Sequence, residues 1–143
     1  MAKADIKMPD DFLERIASLG ASEDAIAERV LEAGAAVVEA KVRSNLEGVV
    51  GKNTTHPSRS TGELVSSLGV TKARVNRDGN HDIKIGFAEP RKGGESNAKI
   101  ANVLEYGRHG QPPKPFLAPA KAATKNVCME TMIRKFEEEV SRI

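Results

Sequence analysis

The sequence predicts an α+β domain in which a long N-terminal helix and a C-terminal helix pack on a small antiparallel β-sheet. Three observations predict it. Apolar residues recur at helical spacing from Ile26 to Leu46 and again from Ala123 to Val140. Between these stretches, Val70 to Val75 and His81 to Phe87 alternate apolar and polar residues, the period of a half-buried strand. Asp78-Gly79, lying between the two alternating runs, is a turn signal. One domain is expected over residues 1–143, with flexible loops at about 48–60 and 90–96.

Each element follows from local chemistry. Asp10 or Asp11 is the expected cap of a short first helix carrying Phe12, Leu13, Ile16 and Leu19, closed by Gly20. Ser22 opens the second helix, with Glu23 and Asp24 in its first turn, and the pattern runs to about Leu46. Ala33-Gly34-Ala35-Ala36 at the centre of its stripe predicts the close approach of another element. Gly48 to Ser60 is polar and without periodicity, the expected first loop. Ser60 and Glu63 have capping-box spacing, so a short helix carrying Leu64 and Leu68 is expected before Gly69. The two strands then form a hairpin whose loop, Asn76 to Asn80, is longer than the tightest turn. Pro90 to Ser96 reads as the second loop.

Asn97 to Tyr106 is amphipathic, placing Ile100, Val103, Leu104 and Tyr106 on one face, and Gly107 supplies the left-handed residue that ends such a helix. Pro112, Pro113 and Pro115 stiffen the connector that follows by fixing their own backbone angles and restricting those of their predecessors. The connector delivers Phe116 and Leu117 to a fixed place, as an internal clamp in preference to an exposed polyproline ligand. Tyr106 and Phe116 are expected to pack across it. Pro119 suits the first turn of the last helix, about Ala118 to Arg142, with Ala123, Val127, Ile133, Phe136 and Val140 as its apolar residues.

Charge is unevenly spread. Residues 1–50 hold six basic and ten acidic side chains, residues 51–121 hold twelve basic and six acidic, and the rest balance at four each. Lys72, Arg74, Arg77, Lys84, Arg91 and Lys92 surround the hairpin. They are read first as a solvated face, because no base-reading motif or stacking aromatic accompanies them. The alternative is that Lys72, Arg74 and Lys84 face DNA phosphates without sequence specificity, or an acidic partner subunit.

Other chemistry finds little support. With 3% aromatic residues the core must rest on Val, Ile, Leu and Ala. The single cysteine, Cys128, reads as a packing residue in a reducing cytosolic protein. His56, His81 and His109 lack zinc-ligand spacing, Gly93-Gly94 lacks the Lys-Ser or Lys-Thr of a phosphate loop, and Glu105 beside Tyr106 is explained by a capped helix end. No catalytic, cofactor or metal residue is assigned, and no cofactor is expected. A soluble, unexported chain without membrane association is expected, since no run approaches about 18 apolar residues.

Ile100-Ala101-Asn102-Val103-Leu104-Glu105-Tyr106-Gly107, followed by Pro113-Lys114-Pro115-Phe116-Leu117-Ala118-Pro119-Ala120, resembles small tail-component proteins of long-tailed phages, whose type member comes from a Hong Kong 97-type siphophage. Ser58 to Leu68 is similar to that family's segment before its central hairpin. The chain has Gly107-Arg108 where the family usually carries Gly-Thr, followed by an insert, Arg108-His109-Gly110-Gln111. The resemblance implies a non-enzymatic virion morphogenesis protein of a phage or prophage, made in the bacterial host cytoplasm. It would complete the tail or join it to the head. Its implied partners are other neck or tail proteins and further copies of itself in a ring, expected to be a hexamer, through which DNA passes. The rival function is a DNA-binding accessory protein using the basic hairpin. Tyr106, Pro113, Pro115, Phe116 and Leu117 are the candidate interaction or packing residues.

Overall fold

The computed structural model describes residues 10–51, 62–89 and 96–143. It is α+β and mostly helical. Helix α1 spans Asp10–Ala21 and α2 spans Glu23–Val49. Gly20 does not close α1: the Ser22 N–H donates to Ser18 O at 3.0 Å, so the helix passes through Gly20 and turns only at Ser22. Ser22 occupies the N-cap of α2 but its hydroxyl makes no capping bond, leaving Glu23 and Asp24 to complement the helix dipole. Helix α2 continues three residues beyond the expected Leu46, and Gly48 is helical. Most of the loop expected at 48–60, with His56 and the Ser60 cap, lies outside the described residues, as does the loop at 90–96 up to Ser96.

The last helix, α5 (Leu117–Ser141), lies antiparallel to α2. Arg29 meets Glu139 at 2.8 Å near one end, and Asn45 Nδ2 donates to Phe116 O at 3.2 Å near the other. Between them Gly34 allows the close approach that its small neighbours predicted. A Cβ at that position would lie 2.7 Å from Met132 Cγ and 3.2 Å from Cys128 Sγ. The Cys128 thiol donates to Gly34 O at 3.5 Å.

The face of α5 turned toward α2 is not the one expected. Ala120, Thr124 and Glu139 are buried, whereas Val127, Ile133 and Phe136 are about half exposed. The reason is steric: a helix resting on Gly34 and Ala35 presents small or flexible side chains at the contact, and the larger apolar residues are displaced outward.

A short helix, α3 (Glu63–Ser67), starts from Gly62 at φ 81° and ends one residue earlier than the pattern suggested, because Leu68 already belongs to a strand. The hairpin consists of two ladders. Strand β1 (Leu68–Val70) pairs antiparallel with β4 (Ile85–Phe87), and β2 (Arg74–Val75) pairs with β3 (His81–Asp82). Val70 faces Ile85, and the next ladder pair is Arg74 with Asp82. Three residues, Thr71 to Ala73, therefore oppose two, Ile83 and Lys84, which is a β-bulge. The expected strict alternation from Val70 to Val75 breaks at this bulge, and Val75 ends 54% exposed rather than on the inner face. The turn beyond it is organised by Asn76, whose Oδ1 accepts from the N–H groups of Asp78 and Asn80, and Gly79 takes φ 81°.

The core sits under the second half of α2, where Val42 and Leu46 meet Leu64, Leu68, Ala101, Phe116 and Ala120. Arg43 ties this half of α2 to α3 and to the hairpin by donating to Val65 O and Leu68 O, both at 3.1 Å. His81 Nε2 lies 2.9 Å from Asp24 Oδ1 and ties the hairpin to the start of α2.

Two glycine substitutions separate close approach from open helix. Gly34→Leu regains up to about 1 kcal/mol of helix propensity but overpacks the α2–α5 contact, for a net loss of up to about 2 kcal/mol in urea unfolding. Gly20→Ala, helical with nothing within 4 Å of the added Cβ, gains about 0.5–1 kcal/mol.

Candidate functional site

The sequence segment singled out by its helix, prolines and Phe116 folds into a joint between helix α4 (Asn97–Tyr106) and α5. Helix α4 is fixed at its start. Ser96, expected as the end of a flexible loop, instead caps it: the Ser96 hydroxyl oxygen accepts from the Lys99 N–H at 3.1 Å. Glu89 Oε1 accepts from the Ala98 N–H at 2.8 Å, and buried Asn97 donates from Nδ2 to Ala88 O at 2.8 Å.

At its other end α4 stops at Gly107, where φ is 77°. A Cβ there would lie 2.8 Å from both Gln111 O and Pro113 N, so the site accepts glycine alone. The segment Arg108-His109-Gly110-Gln111 forms a tight turn: Arg108 and Gln111 exchange two backbone hydrogen bonds, at 3.0 and 2.9 Å, around Gly110 at φ 79°. The Lys114 N–H then donates to Leu104 O at 2.6 Å, folding the connector back against α4.

Glu105 completes the joint. Its Oε2 accepts from the N–H groups of Phe116 and Leu117, each at 2.8 Å, and its Oε1 from that of Ala118 at 2.9 Å. These are donors at the start of α5 that no preceding turn can satisfy, and Phe116, the N-cap residue, has no side-chain oxygen to offer them. Pro119 has no N–H to satisfy. Burial raises the Glu105 pKa, but the backbone donors of Leu117, Ala118 and Phe116 outweigh it and hold the carboxyl below its ordinary value. Glu105 does belong to a capped helix end, as its position suggested, but the helix it caps is the next one.

Phe116 is fully buried, and its ring meets that of Phe87 edge-on, with centroids 6.1 Å apart. The expected pairing with Tyr106 does not form: Tyr106 is 76% exposed, since the turn of α4 that buries Glu105 points Tyr106 away. Pro113 and Pro115 are exposed, and Leu117 lies at the border of exposure. Lys72, Arg74 and Lys84 are exposed on the bulged hairpin, and Arg74 Nε lies 3.5 Å from Asp82 Oδ1. Arg91 and Lys92 lie outside the described residues. Among the described residues no three His, Cys, Asp or Glu side chains are grouped to hold a metal ion, and no helix is long and apolar enough to cross a membrane.

The contacts that sequence reading missed are long-range. Asn45, Phe87 and Glu89 join the site from α2 and the end of β4, and no local spacing marks them. The family model described as "Bacteriophage HK97-gp10, putative tail-component" matches residues 10–107, from the start of α1 to the glycine that ends α4. No curated protein and no solved structure matches the chain.

Replacing Phe116 by Ala removes a fully buried ring and is expected to cost about 3–5 kcal/mol in thermal or urea unfolding. Glu105→Gln places an amide N–H2 against at least one backbone donor and is expected to cost about 1–3 kcal/mol. The Glu105 pKa is lower in the folded than in the unfolded chain, so its stabilisation is complete above the ordinary carboxylate value and fades as pH falls through the lower folded value. Acid titration of stability should accordingly show a shallower decline in Glu105→Gln than in the parent.

Proposed function

The chain belongs to the bacteriophage HK97-gp10 tail-component family, and from that premise we propose that it completes the tail or joins it to the head, acting as a ring at the neck or tail end. It is a phage tail-component protein of a structural family, and its partners belong among the other structural proteins of the particle. The observation that carries the reading is the extent of the family match, which takes in α1 to α4 and so the whole hairpin and the first half of the joint. The joint suits such a role, because a connector fixed by Gly107, the Lys114–Leu104 bond and Glu105 holds its exposed residues in one geometry for a neighbouring subunit. A six-membered ring is the working form.

DNA would pass such a ring without being read. Lys72 and Lys84 are free to meet phosphates on the exposed hairpin, whereas Arg74 is partly engaged by Asp82. A DNA-binding accessory role is the rival, and the two differ in where the protein is found: a joining component stays with assembled tails, and an accessory protein binds DNA apart from them.

Quantitative mass spectrometry of purified particles is expected to find about six copies per tail. A single copy contradicts the ring. For the hairpin, changing Lys72, Arg74 and Lys84 together to Gln is expected to lower the slope of log affinity for duplex DNA against log salt by roughly 2, with Arg74 contributing least. A parent that retains no DNA even at low salt assigns these residues to a solvated face.

A further inference from the structure

The two ends of the α2–α5 pair carry surfaces of opposite character. At one end, Ile16 and Leu19 of α1, Ile26 and Val30 of α2, and Phe136 of α5 line an apolar groove of about 490 Å3, with Glu23 at its edge. Ile16 and Phe136 remain 50% and 48% exposed there. Residues 10–30, which supply all of this lining but Phe136, hold six acidic side chains and two basic.

At the other end, past Asn45 and Phe116, lies the turn of the joint, with Tyr106 and Arg108 exposed beside Pro112. Residues 105–121, from the end of α4 to the start of α5, hold three basic side chains and one acidic, and that one is Glu105, buried as a cap. From Ile26 to Asn45 helix α2 rises roughly 28 Å. The turn is pinned to α4 by Gly107 and by the Lys114–Leu104 bond, so it cannot reach the groove of its own chain.

We propose that the Tyr106–Arg108 turn of one copy docks into the apolar groove between α1, α2 and α5 of the next copy. The proposal rests on the ring reading and names the surfaces that close it. Charge complementarity selects a second copy as occupant: the basic end of one chain meets the acidic end of another. Tyr and Arg on a rigid turn are the residue types that anchor interfaces, and a turn already held in place loses little freedom on docking. Because the two surfaces differ and lie at opposite ends, the contact is heterologous, the type that builds rings when its rotation closes.

The test is sedimentation velocity of the full chain from about 1 μM to about 1 mM, with circular dichroism to verify folding. The parent is expected to associate in that range, and Arg108→Glu and Ile16→Asp are each expected to weaken association by about tenfold or more. An equimolar mixture of the two variants is expected to give heterodimers and nothing larger, since only one intact turn and one intact groove can meet. If Ile16→Asp does not fold, Phe136→Asp, at a groove-lining residue 48% exposed, replaces it. Association at parental strength in either variant, a mixture without heterodimers, or a parent that stays monomeric throughout overturns the proposal. Variants that associate normally yet fail to enter particles assign the groove to a different tail protein, and also overturn it. The ring reading is judged separately, by copy number in particles, so a ring can survive the failure of this contact.

Discussion

The carboxylate of Glu105 is the interaction on which the rest of the joint depends. Helix α5 starts from Phe116, its N-cap, which must be buried to fill the core beside Phe87 and Leu46, and a helix that starts at the core starts with donors partly or wholly shut off from water. Leaving a buried donor such as the Phe116 N–H unmade costs about 1–3 kcal/mol. Glu105, the penultimate residue of α4, meets three of them with two oxygens and places a negative charge at the positive end of the α5 dipole. One side chain thus fixes where α5 starts, the angle at which it leaves α4 and the depth of Phe116. It leaves Tyr106, the next residue along, facing outward.

The far end of α5 is held by a second carboxylate. Glu139 is buried, with Arg29 of α2 at 2.8 Å and Lys135 and Arg142 of its own helix at 3.3 and 3.5 Å. Burial raises its pKa, but Arg29 and Lys135 outweigh that and lower it. As for Glu105, stability from this group is present above the ordinary carboxylate range and is lost in acid. Between the two carboxylates the α2–α5 contact rests on Gly34, where a small backbone surface replaces a large apolar one. The consequence is outward display of Ile133 and Phe136, large side chains that the close contact has no room to take in.

Local chemistry was legible from the sequence and long-range chemistry was not. The helical spacing around Ile26 to Leu46, the small residues at Gly34, the left-handed stop at Gly107 and the turn at Gly79 each reflect forces between near neighbours, and each is present in the structure. The bulge at Thr71 to Ala73 was hidden because the alternation it breaks remains intact when written along one strand; only the partner's register exposes it. The buried face of α5 was misread because Ala120, Thr124 and Glu139 do not look like a core until the close contact with α2 is known. At the site, the prolines and Phe116 marked the joint, but the sequence did not show that Glu105 would act eleven residues away. A cap supplied from another helix leaves no spacing rule to find.

Amide hydrogen exchange of Phe116, Leu117 and Ala118 tests the central claim most directly, in the parent and in Glu105→Gln. If the carboxylate holds the joint, these three amides are protected in the parent near neutral pH. They lose that protection selectively in the variant, while amides in the middle of α2 around Val42 keep theirs. Equal protection of the three amides in both chains would contradict the account, since α5 would then be anchored without Glu105.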